Sequence, residues 1–483
     1  MLLRHTLYYL AARGLPGLIN FAALSLYTRL LAPDEFGRYS LVVASVSLIH
    51  VFLFQWLQLV LGRFLPAHRD EPQVVQQSIL ALFLFIAGSV SVAGLGAALL
   101  WSDPVWRALL ALAVPLTVAE AWLQLNLTLA STNLRPGRYG FLLGGKSLLA
   151  IMVGGWLAWL GLGAQAPLVG MLAGASAAWL LFGLRLWRGM RPCWPAPERL
   201  KEYAAYGLPF VATFALGWII ASSDRMLIAW LLDEAATGIY AVGYDLSQHS
   251  LGLLLAVVNT AAYPLAVRKL EQEGEEAARA QLAQNGELII TVALTGAAGL
   301  AALAPALLDI LVGEAFRAGA VEIMPWIAAA AAVAGIKAFH FDLAFQLARK
   351  SYLQVYISAV AATVNIILNM LLIPEYGVVG AAWATLIAYG LACALSAVVG
   401  KGVSAMPSLA PIILRAAVVA AATGATAHFA VGFVPDPFAV LVGGLTSGAA
   451  AALLTALLLD VVGLRGATTK LAAAVFRRHR HER

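Results

Sequence analysis

The sequence predicts an all-α protein that crosses a membrane about fourteen times. Of its 483 residues, 61% are hydrophobic and only 12% are charged, whereas an ordinary soluble domain carries about 25% charged residues. The mean hydropathy is +0.84, and a soluble chain of this size could not bury so much apolar surface. Apolar runs of about 20 residues, the length that crosses a hydrocarbon core, recur between short polar breaks.

Fourteen runs are predicted as transmembrane helices. Their limits are 7–30, 39–61, 76–101, 108–131, 141–162, 167–186, 206–232, 238–264, 285–312, 321–347, 353–373, 378–400, 411–433 and 438–463. They are apolar throughout, whereas the strands of an outer-membrane barrel alternate over about 10 residues. The first run lacks a small-residue cleavage site near its end, so we interpret it as a retained helix. Cys193 and Cys393 predict neither a disulfide framework nor a metal site.

The distribution of Lys and Arg predicts that both termini face the cytoplasm. Every second polar break between the runs belongs to one set, and this set and the two chain ends together hold 24 of the 31 Lys and Arg residues. Lys146 is counted in this set. The opposite breaks hold four, which are Arg29, Arg38, Arg107 and Arg317. Basic loops stay on the cytoplasmic side. The net charge of +6 is therefore a topology signal rather than a sign of nucleic-acid binding, and the basic tail suits anionic headgroups.

Two polar stretches, at 185–205 and 267–284, are the longest in the chain. The first is rich in Pro and basic residues and is interpreted as a linker, and the second as a short surface helix. The predicted organisation is an N-terminal six-helix lobe over 1–190, a cytoplasmic linker over 191–205, a second six-helix lobe over 206–402, two accessory transmembrane helices over 403–463 and a basic cytoplasmic tail over 464–483.

A short internal repeat supports the two lobes. The stretch "LLAPDEFGRYSL" at 30–41 returns in weaker form as "LLDEAATGIYAV" at 231–242. An offset of 201 residues aligns Gly37 with Gly238 and Tyr39 with Tyr240. Both copies fall between the first and second helices of a lobe, which indicates two lobes of the same orientation. Parallel repeats of this kind are a known transporter plan, in which the substrate site lies at the repeat interface.

Three longer motifs carry a family resemblance. The stretches "TRLLAPDEFGRYSLV", "SSDRMLIAWLLDEAATGIYAVGYDL" and "NMLLIPEYGVVGAAWATLIAYGL" resemble bacterial polysaccharide-transporter flippases. These flippases export lipid-linked repeat units of O-antigen and exopolysaccharide and belong to the multidrug/oligosaccharidyl-lipid/polysaccharide superfamily. The resemblance implies a two-lobed, V-shaped bundle with alternating access in the bacterial cytoplasmic (inner) membrane.

The same resemblance implies a substrate made of an oligosaccharide on undecaprenyl pyrophosphate, moved from the inner to the outer leaflet. Membrane lipids are implied partners, together with a polysaccharide polymerase and export proteins. No catalytic residue, metal, cofactor or nucleic acid belongs to this function, and the sequence holds no phosphate-binding loop or nucleotide-binding glycine motif. We therefore expect a protein that is not an enzyme.

Three basic residues fall inside predicted membrane helices, which are Arg13, Arg225 and Lys337. An ionisable residue in such a helix is costly and suggests a functional site. A pyrophosphate must cross a low-dielectric slab, and cationic side chains would lower that barrier. These three residues are candidates to hold the pyrophosphate in a cavity. The alternatives are snorkelling of Arg13 to the inner headgroups and pairing of Arg225 with a carboxylate such as Asp224.

The acidic residues inside the same helices include Glu120, Asp224 and Asp342. They could couple transport to protons or sodium ions, or they could balance charge and join helices by hydrogen bonds. The sequence favours the second interpretation and leaves the first open.

The two copies of the hairpin motif contribute five candidate gate residues. The first copy contributes Pro33, Asp34, Glu35 and Gly37, and the second contributes Gly238. Pro33 sets the turn after the first helix, and Asp34 and Glu35 suit the N-terminal end of the next one. Gly37 allows close packing. The motif is interpreted as a structural hairpin and a possible outer gate.

Two other functions stay open. A multidrug or cation antiporter of the same superfamily would share the fold but would want a central acidic site. The sequence does not exclude a flippase for another polyprenyl-linked precursor, although the motifs fit polysaccharide transport better.

Overall fold

The computed structural model describes residues 17–68, 70–180, 187, 189–348, 350–403, 410–433 and 436–466. Within these ranges all regular structure is helical, which confirms the all-α prediction. The helices are α1 (17–30), α2 (Pro33–Ile49), α3 (Gln55–Ala67), α4 (Pro72–Leu100), α5 (Pro104–Thr132), α6 (Pro136–Trp159), α7 (Gln165–Ala178), α8 (Pro197–Leu231), α9 (Glu234–Glu273), α10 (Glu275–Leu311), α11 (Glu314–Ile336), α12 (Asp342–Leu347), α13 (Tyr352–Lys401), α14 (Ala410–Phe433) and α15 (Pro437–Leu458).

Eleven candidate membrane spans are found in the described residues, and they correspond to twelve of the fourteen predicted runs. The runs 353–373 and 378–400 form one helix, α13, which is broken at Gly377 by a φ of 57° and a ψ of −141°. The first and sixth runs, 7–30 and 167–186, include residues that the structure does not describe. The described α-helices at these places are α1 (17–30) and α7 (Gln165–Ala178). The protein is thus a multi-pass membrane protein.

The start of many helices is written in the sequence. Six of the helices above begin at a proline, which lacks the N–H that the first turn cannot satisfy; these are α2, α4, α5, α6, α8 and α15. Aspartates add caps at three starts, because Asp103, Asp233 and Asp436 accept hydrogen bonds from Trp106, Ala236 and Ala439 backbone N–H groups at 2.7–2.8 Å.

The polar stretch 267–284 is not a separate surface helix, and that prediction is wrong. Helix α9 runs on to Glu273 and α10 begins at Glu275, with Gly274 between them at a φ of 88°. Only glycine adopts such a φ without strain. Two membrane helices therefore extend into this stretch and turn there.

Two π-helical turns of five residues each interrupt long helices in the part of the chain that the structure describes. One, His50–Phe54, joins α2 to α3, and the other, Lys337–Phe341, joins α11 to α12. Such turns are rare and frequently occur at functional sites. The second turn carries Lys337, one of the predicted substrate-binding residues.

The contacts divide the chain into two compact units. Unit 1 contains the described residues of Met1–Val242, together with Leu311–Phe316 and Asn369–Val378, and unit 2 contains those of Gly243–Ile310, Arg317–Leu368 and Val379–Arg483. The largest core of unit 1 lies among α3, α4, α5 and the start of α8. A core of unit 2 lies among α9, α10, α11 and α14. The lobe limits derived from the sequence stay a prediction.

Candidate functional site

The two copies of the hairpin motif lie against each other in unit 1. A β carbon built on Gly37 would overlap the carbonyl oxygen of Glu234, and one on Gly238 would overlap that of Pro33. At these two glycines the start of α2 therefore meets the start of α9 backbone against backbone. Both glycines are needed because any side chain would separate the two helices. The alignment of these glycines in the sequence thus corresponds to a direct contact in space.

A charged cluster surrounds this glycine contact. Arg38 Nε donates to Glu234 Oε2 at 2.8 Å, and its Nη2 lies 3.3 Å from Asp34 Oδ2. Trp106 Nε1 donates to the other oxygen, Glu234 Oε1, at 2.9 Å. Both carboxylate oxygens of Glu234 are therefore held by side chains from α2 and α5. Glu35 acts locally, because its Oε2 accepts the N–H of Ala32 at 3.0 Å and caps α2.

A third segment joins the same region of unit 1. The N–H of Gly313, between α10 and α11, donates to Thr28 Oγ1 at 3.1 Å. The rings of Phe36 and Phe316 meet edge to face with their centroids 5.6 Å apart. Neither Thr28 nor Gly313 was a candidate from the sequence. Each is an ordinary residue in a helix end or a loop, and only the fold brings the two together.

Asp224 is the most enclosed charge among the described residues of unit 1. Its side chain, on α8, is fully buried. The hydroxyl of Tyr240 donates to Oδ2 at 2.7 Å, and Asn369 Nδ2 donates to Oδ1 at 2.7 Å. Asn369 Oδ1, also buried, accepts no hydrogen bond from the described residues. This group of carboxylate and amide oxygens has the chemistry to bind a proton or a small cation.

The Asp224 group exists in only one copy of the repeat. At the 201-residue offset, Ala23 stands where the second copy has Asp224. Tyr39, the counterpart of Tyr240, has its hydroxyl 3.9 Å from the sulfur of Met171 instead. The repeat therefore supplies the framework twice and the buried carboxylate once.

The three predicted substrate-binding cations are in different situations. Arg13 lies outside the described residues. Arg225 follows Asp224 on α8 in unit 1, is half-buried, and its backbone carbonyl lies 3.5 Å from Thr237 Oγ1. Lys337 belongs to unit 2 and lies on the π turn after α11. Their role as a pyrophosphate site stays a prediction.

Lys337 forms an ion pair within unit 2. Its Nζ donates to Asp342 Oδ2 at 2.7 Å, and the two side chains are only 13% and 11% exposed. Ser396 Oγ donates to the second oxygen, Asp342 Oδ1, at 3.0 Å. His340, which lies on the same π turn as Lys337, is fully buried beside Gly286 of α10. Asp342 is therefore charge-balanced by Lys337, which is one of the two roles that the sequence left open.

Glu120 has a cation partner that sequence reasoning misplaced. Lys146 was assigned to a cytoplasmic break, and this is wrong, because it lies within α6 and its Nζ is 2.6 Å from Glu120 Oε1. His50, on the first π turn, lies in the electrostatic field of Glu120 and contacts Gln58 Nε2 at 2.8 Å. Lys146 already fell inside the predicted run 141–162, so its position in that run was the signal to weigh.

A further ion pair joins α14 to α10 within unit 2. Arg415 of α14 lies 3.1 Å from Glu287 Oε1 of α10, and Glu287 Oε2 accepts the N–H of Val462 at 3.1 Å. Glu287 is mostly buried. Among the described residues, the four buried acidic residues Glu120, Asp224, Glu287 and Asp342 are thus joined to donors on other helices, as expected where water cannot solvate them.

Comparison with known proteins gives the family. The family described as "Polysaccharide biosynthesis protein" matches residues 26–321, more than half of the chain. No curated protein matches the sequence.

Several solved structures share the fold. The lipid II flippase MurJ in its inward closed conformation is similar with a TM-score of 0.74 at 12% identity, covering 94% of this chain and 98% of that one. An inward-facing multidrug resistance MATE family transporter is similar with a TM-score of 0.56 at 13% identity, covering 80% of this chain and 94% of that one. A transporter of the same superfamily from Pyrococcus furiosus has a TM-score of 0.54 at 13% identity, with 83% and 94% covered.

These structures are a flippase and transporters of the MOP (multidrug/oligosaccharidyl-lipid/polysaccharide) superfamily, and at this identity they show the fold. The chain therefore belongs to the polysaccharide biosynthesis protein family and has the fold of the MOP-superfamily flippases and transporters.

Proposed function

We propose that this protein flips undecaprenyl-pyrophosphate-linked oligosaccharide repeat units from the inner to the outer leaflet of the bacterial cytoplasmic membrane, for O-antigen, capsule or exopolysaccharide synthesis. The observation that carries the proposal is the family match over residues 26–321 in a chain with the MOP fold. A polysaccharide biosynthesis protein built as a flippase has a substrate that must be both a glycan and a lipid.

The proposed mechanism is alternating access, with the paired hairpins as the outer gate. The backbone contact at Gly37 and Gly238 supports this proposal, because it is small and the starts of α2 and α9 would lose it in one step when they move apart. The Arg38–Glu234 pair lies beside it and is about one-quarter exposed on each side. Partly exposed pairs contribute little and are remade at low cost, which suits a gate that opens in every cycle.

Arg13, Arg225 and Lys337 are proposed to hold the pyrophosphate. Guanidinium groups bind phosphate oxygens in a bidentate manner. Lys337 is neutralised by Asp342 in this structure, so a phosphate would have to take over the place of that carboxylate. Exchange of one anionic partner for another keeps the ammonium paired, and the displaced Asp342 carboxylate would have to take up a proton so that no isolated charge is left in the membrane.

Glu120, Asp224 and Asp342 are the candidates for energy coupling. At Asp224, Tyr240 and Asn369 donate to the two carboxylate oxygens, and Asn369 Oδ1 offers a further oxygen nearby. Glu120 and Asp342 each have a lysine within 2.7 Å, so a proton or cation that binds at either carboxylate would compete with that lysine.

The test is deletion of the gene followed by mass analysis of the undecaprenyl-linked lipids. The expected result is accumulation of a lipid-linked oligosaccharide on the cytoplasmic side, reversed by the wild-type protein. Neutral variants of Arg225 and Lys337, made at normal protein levels, are expected to restore export poorly. Export that is undiminished in these variants would remove the proposed cation site.

One alternative is favoured by a specific observation. The lipid II flippase MurJ shares the fold over nearly the whole length of both chains, so the second candidate is a flippase for another polyprenyl-linked precursor. A multidrug or cation antiporter is the third candidate. Accumulation of a peptidoglycan precursor in the deletion strain would favour the second. Unchanged lipid intermediates with raised drug sensitivity would favour the third.

The proposed topology places both termini in the cytoplasm, with membrane lipids, a polysaccharide polymerase and export proteins as partners. Cysteines introduced one at a time into the breaks, in a background without Cys193 and Cys393, test this orientation. A membrane-impermeant thiol reagent should label the acidic breaks from outside and spare the basic ones.

A further inference from the structure

Unit 1 contains an apolar groove that the charged groups do not use. It has a volume of about 680 Å³ and lies among α4, α5 and the end of α7. Leucine, valine and alanine side chains form most of the wall, and among the described residues no acidic or basic side chain lines it. A polar solute would therefore find no charge there to orient it.

The groove is elongated along α4. Its lining runs from Leu80 to Leu95 on this helix, which corresponds to about 22 Å at 1.5 Å per residue. Membrane helices stand across the bilayer, so the groove follows the direction in which lipid chains lie. Its length is well over half of the hydrocarbon core, which is about 30 Å thick.

One end of the groove is aromatic and the other is aliphatic. Phe83, Trp122 and Trp179 form the aromatic end, with the rings of Phe83 and Trp122 centred 4.8 Å apart. Ala111 and Leu95 belong to the aliphatic end. Large flat rings and small alanines together give a slot with smooth walls, which suits a flexible chain that packs by dispersion contacts.

The groove is continuous with the lipid-facing surface. Leu84 and Leu95, which line it, are 50% and 45% exposed, and their neighbours Phe85, Val92 and Leu99 are also exposed. Such an apolar surface on a membrane helix faces lipid. The groove is therefore open to lipid chains along its length.

We propose that this groove holds one acyl chain of a membrane phospholipid. A water molecule takes about 30 Å³ in the liquid, and a methylene group is of similar size, so the groove accommodates on the order of 20 such units. That is the volume of one acyl chain. A polyprenyl carrier chain is several times larger and would leave most of its length outside.

The bound chain has a structural consequence. An empty groove would leave its lining atoms without partners on one side and forfeit their dispersion contacts. In a bilayer no hydrophobic gain drives helix packing, so such contacts are a main source of helix association. The chain thus acts as a packing element between α4, α5 and α7. This inference does not depend on the proposed function.

The test uses the full chain in lipid nanodiscs. Phosphatidylethanolamine with a photoreactive diazirine in one acyl chain is activated, and the adducts are mapped by peptide mass spectrometry. We expect adducts concentrated on the lining of α4, α5 and α7. Adducts spread evenly over the lipid-facing surface, or a groove labelled by a photoreactive polyprenyl phosphate but not by the phospholipid, would overturn the proposal.

Two variants fill the groove from different ends, Ala111→Phe and Ser176→Leu. A matched control, Val92→Phe, adds the same kind of bulk at an exposed site on α4 outside the lining. Groove adducts should fall to the surrounding level in the filled variants and stay unchanged in the control. Equal labelling of all four proteins would be incompatible with a bound chain. If one filled variant fails to fold, the other carries the comparison.

Thermal stability supplies a second readout. In short-chain detergent, added phospholipid should raise the melting temperature of the wild type and of Val92→Phe. It should raise that of Ser176→Leu less, because the introduced side chain already occupies part of the groove. An identical gain in all three proteins would contradict the proposed packing role.

Discussion

Replacing Gly37 by alanine is the sharpest test of the hairpin contact. The added β carbon would occupy the space of the Glu234 carbonyl, with the Gly238 nitrogen only 3.1 Å away. Carbon contacts are comfortable at about 3.5 Å, so the starts of α2 and α9 must separate by about 1.5 Å. Neither partner is the flexible end of a side chain, so the contact cannot relax locally.

The magnitude follows from the cost of overpacking, which is about 1–3 kcal/mol. If that cost falls only on the state with the hairpins together, the equilibrium shifts toward separated hairpins by roughly 5- to 150-fold. Transport by alternating access needs both states, so the variant should also lose transport.

The assay follows the exposure of Thr237, which is fully buried at the start of α9. A Thr237→Cys reporter, in a background with Cys193 and Cys393 replaced, should react slowly with a membrane-impermeant maleimide. Adding Gly37→Ala should raise the rate of the maleimide reaction by roughly 5- to 150-fold. Gly62→Ala is the matched control, because its new β carbon meets only the Thr128 methyl group at 3.8 Å. Equal rates in the two alanine variants would refute the reasoning.

Three further outcomes are expected. Glu120→Gln or Lys146→Met alone should destabilise the protein by about 3–5 kcal/mol, and the double variant by clearly less, because a single change leaves one buried charge unpaired; detergent melting curves measure this, and additive losses would contradict the pairing. Asp224→Asn should keep the fold but abolish the dependence of transport on a proton or sodium gradient, measured in vesicles with imposed gradients; an unchanged dependence would exclude Asp224 from coupling. Exchanging the charges, as Arg38→Glu with Glu234→Arg, should recover part of the transport that either single change removes, because Asp34 and Trp106 lose their own partners in the exchange; a double variant no better than the singles would show that the pair does not act as a unit.

The helices were largely predictable because their signal is local. Each membrane span carries its own apolar run, and starts such as Pro72 and Pro104 are set by the chemistry of one or two residues. The exception, the stretch 267–284, was polar enough to look like a separate element. It belongs to α9 and α10 because helix hydrogen bonds continue beyond the membrane wherever no residue interrupts them, and here only Gly274 does.

The partners of the buried charges were not predictable in the same way. Glu120 and Lys146 lie on different helices, α5 and α6, and Asp224 and Asn369 are 145 residues apart, so no local sequence pattern joins either pair. A pair across helices depends on the rotation and register of both, and a change of one residue turns a side chain by about 100° around its helix. Hydropathy is insensitive to this rotation.

The sequence by itself determined that this chain is an all-α membrane protein, that it has a repeated hairpin, and that ionisable residues such as Asp224, Arg225 and Lys337 lie inside its helices. These follow from composition, spacing and the cost of placing charge in lipid. The tertiary structure alone decided that Gly37 faces Glu234 and Gly238, that Lys146 neutralises Glu120, and that Asp224 is held by a tyrosine and an asparagine. The physical reason is that a membrane makes each helix apolar in much the same way, whereas the contacts between helices depend on individual atoms that meet only after packing.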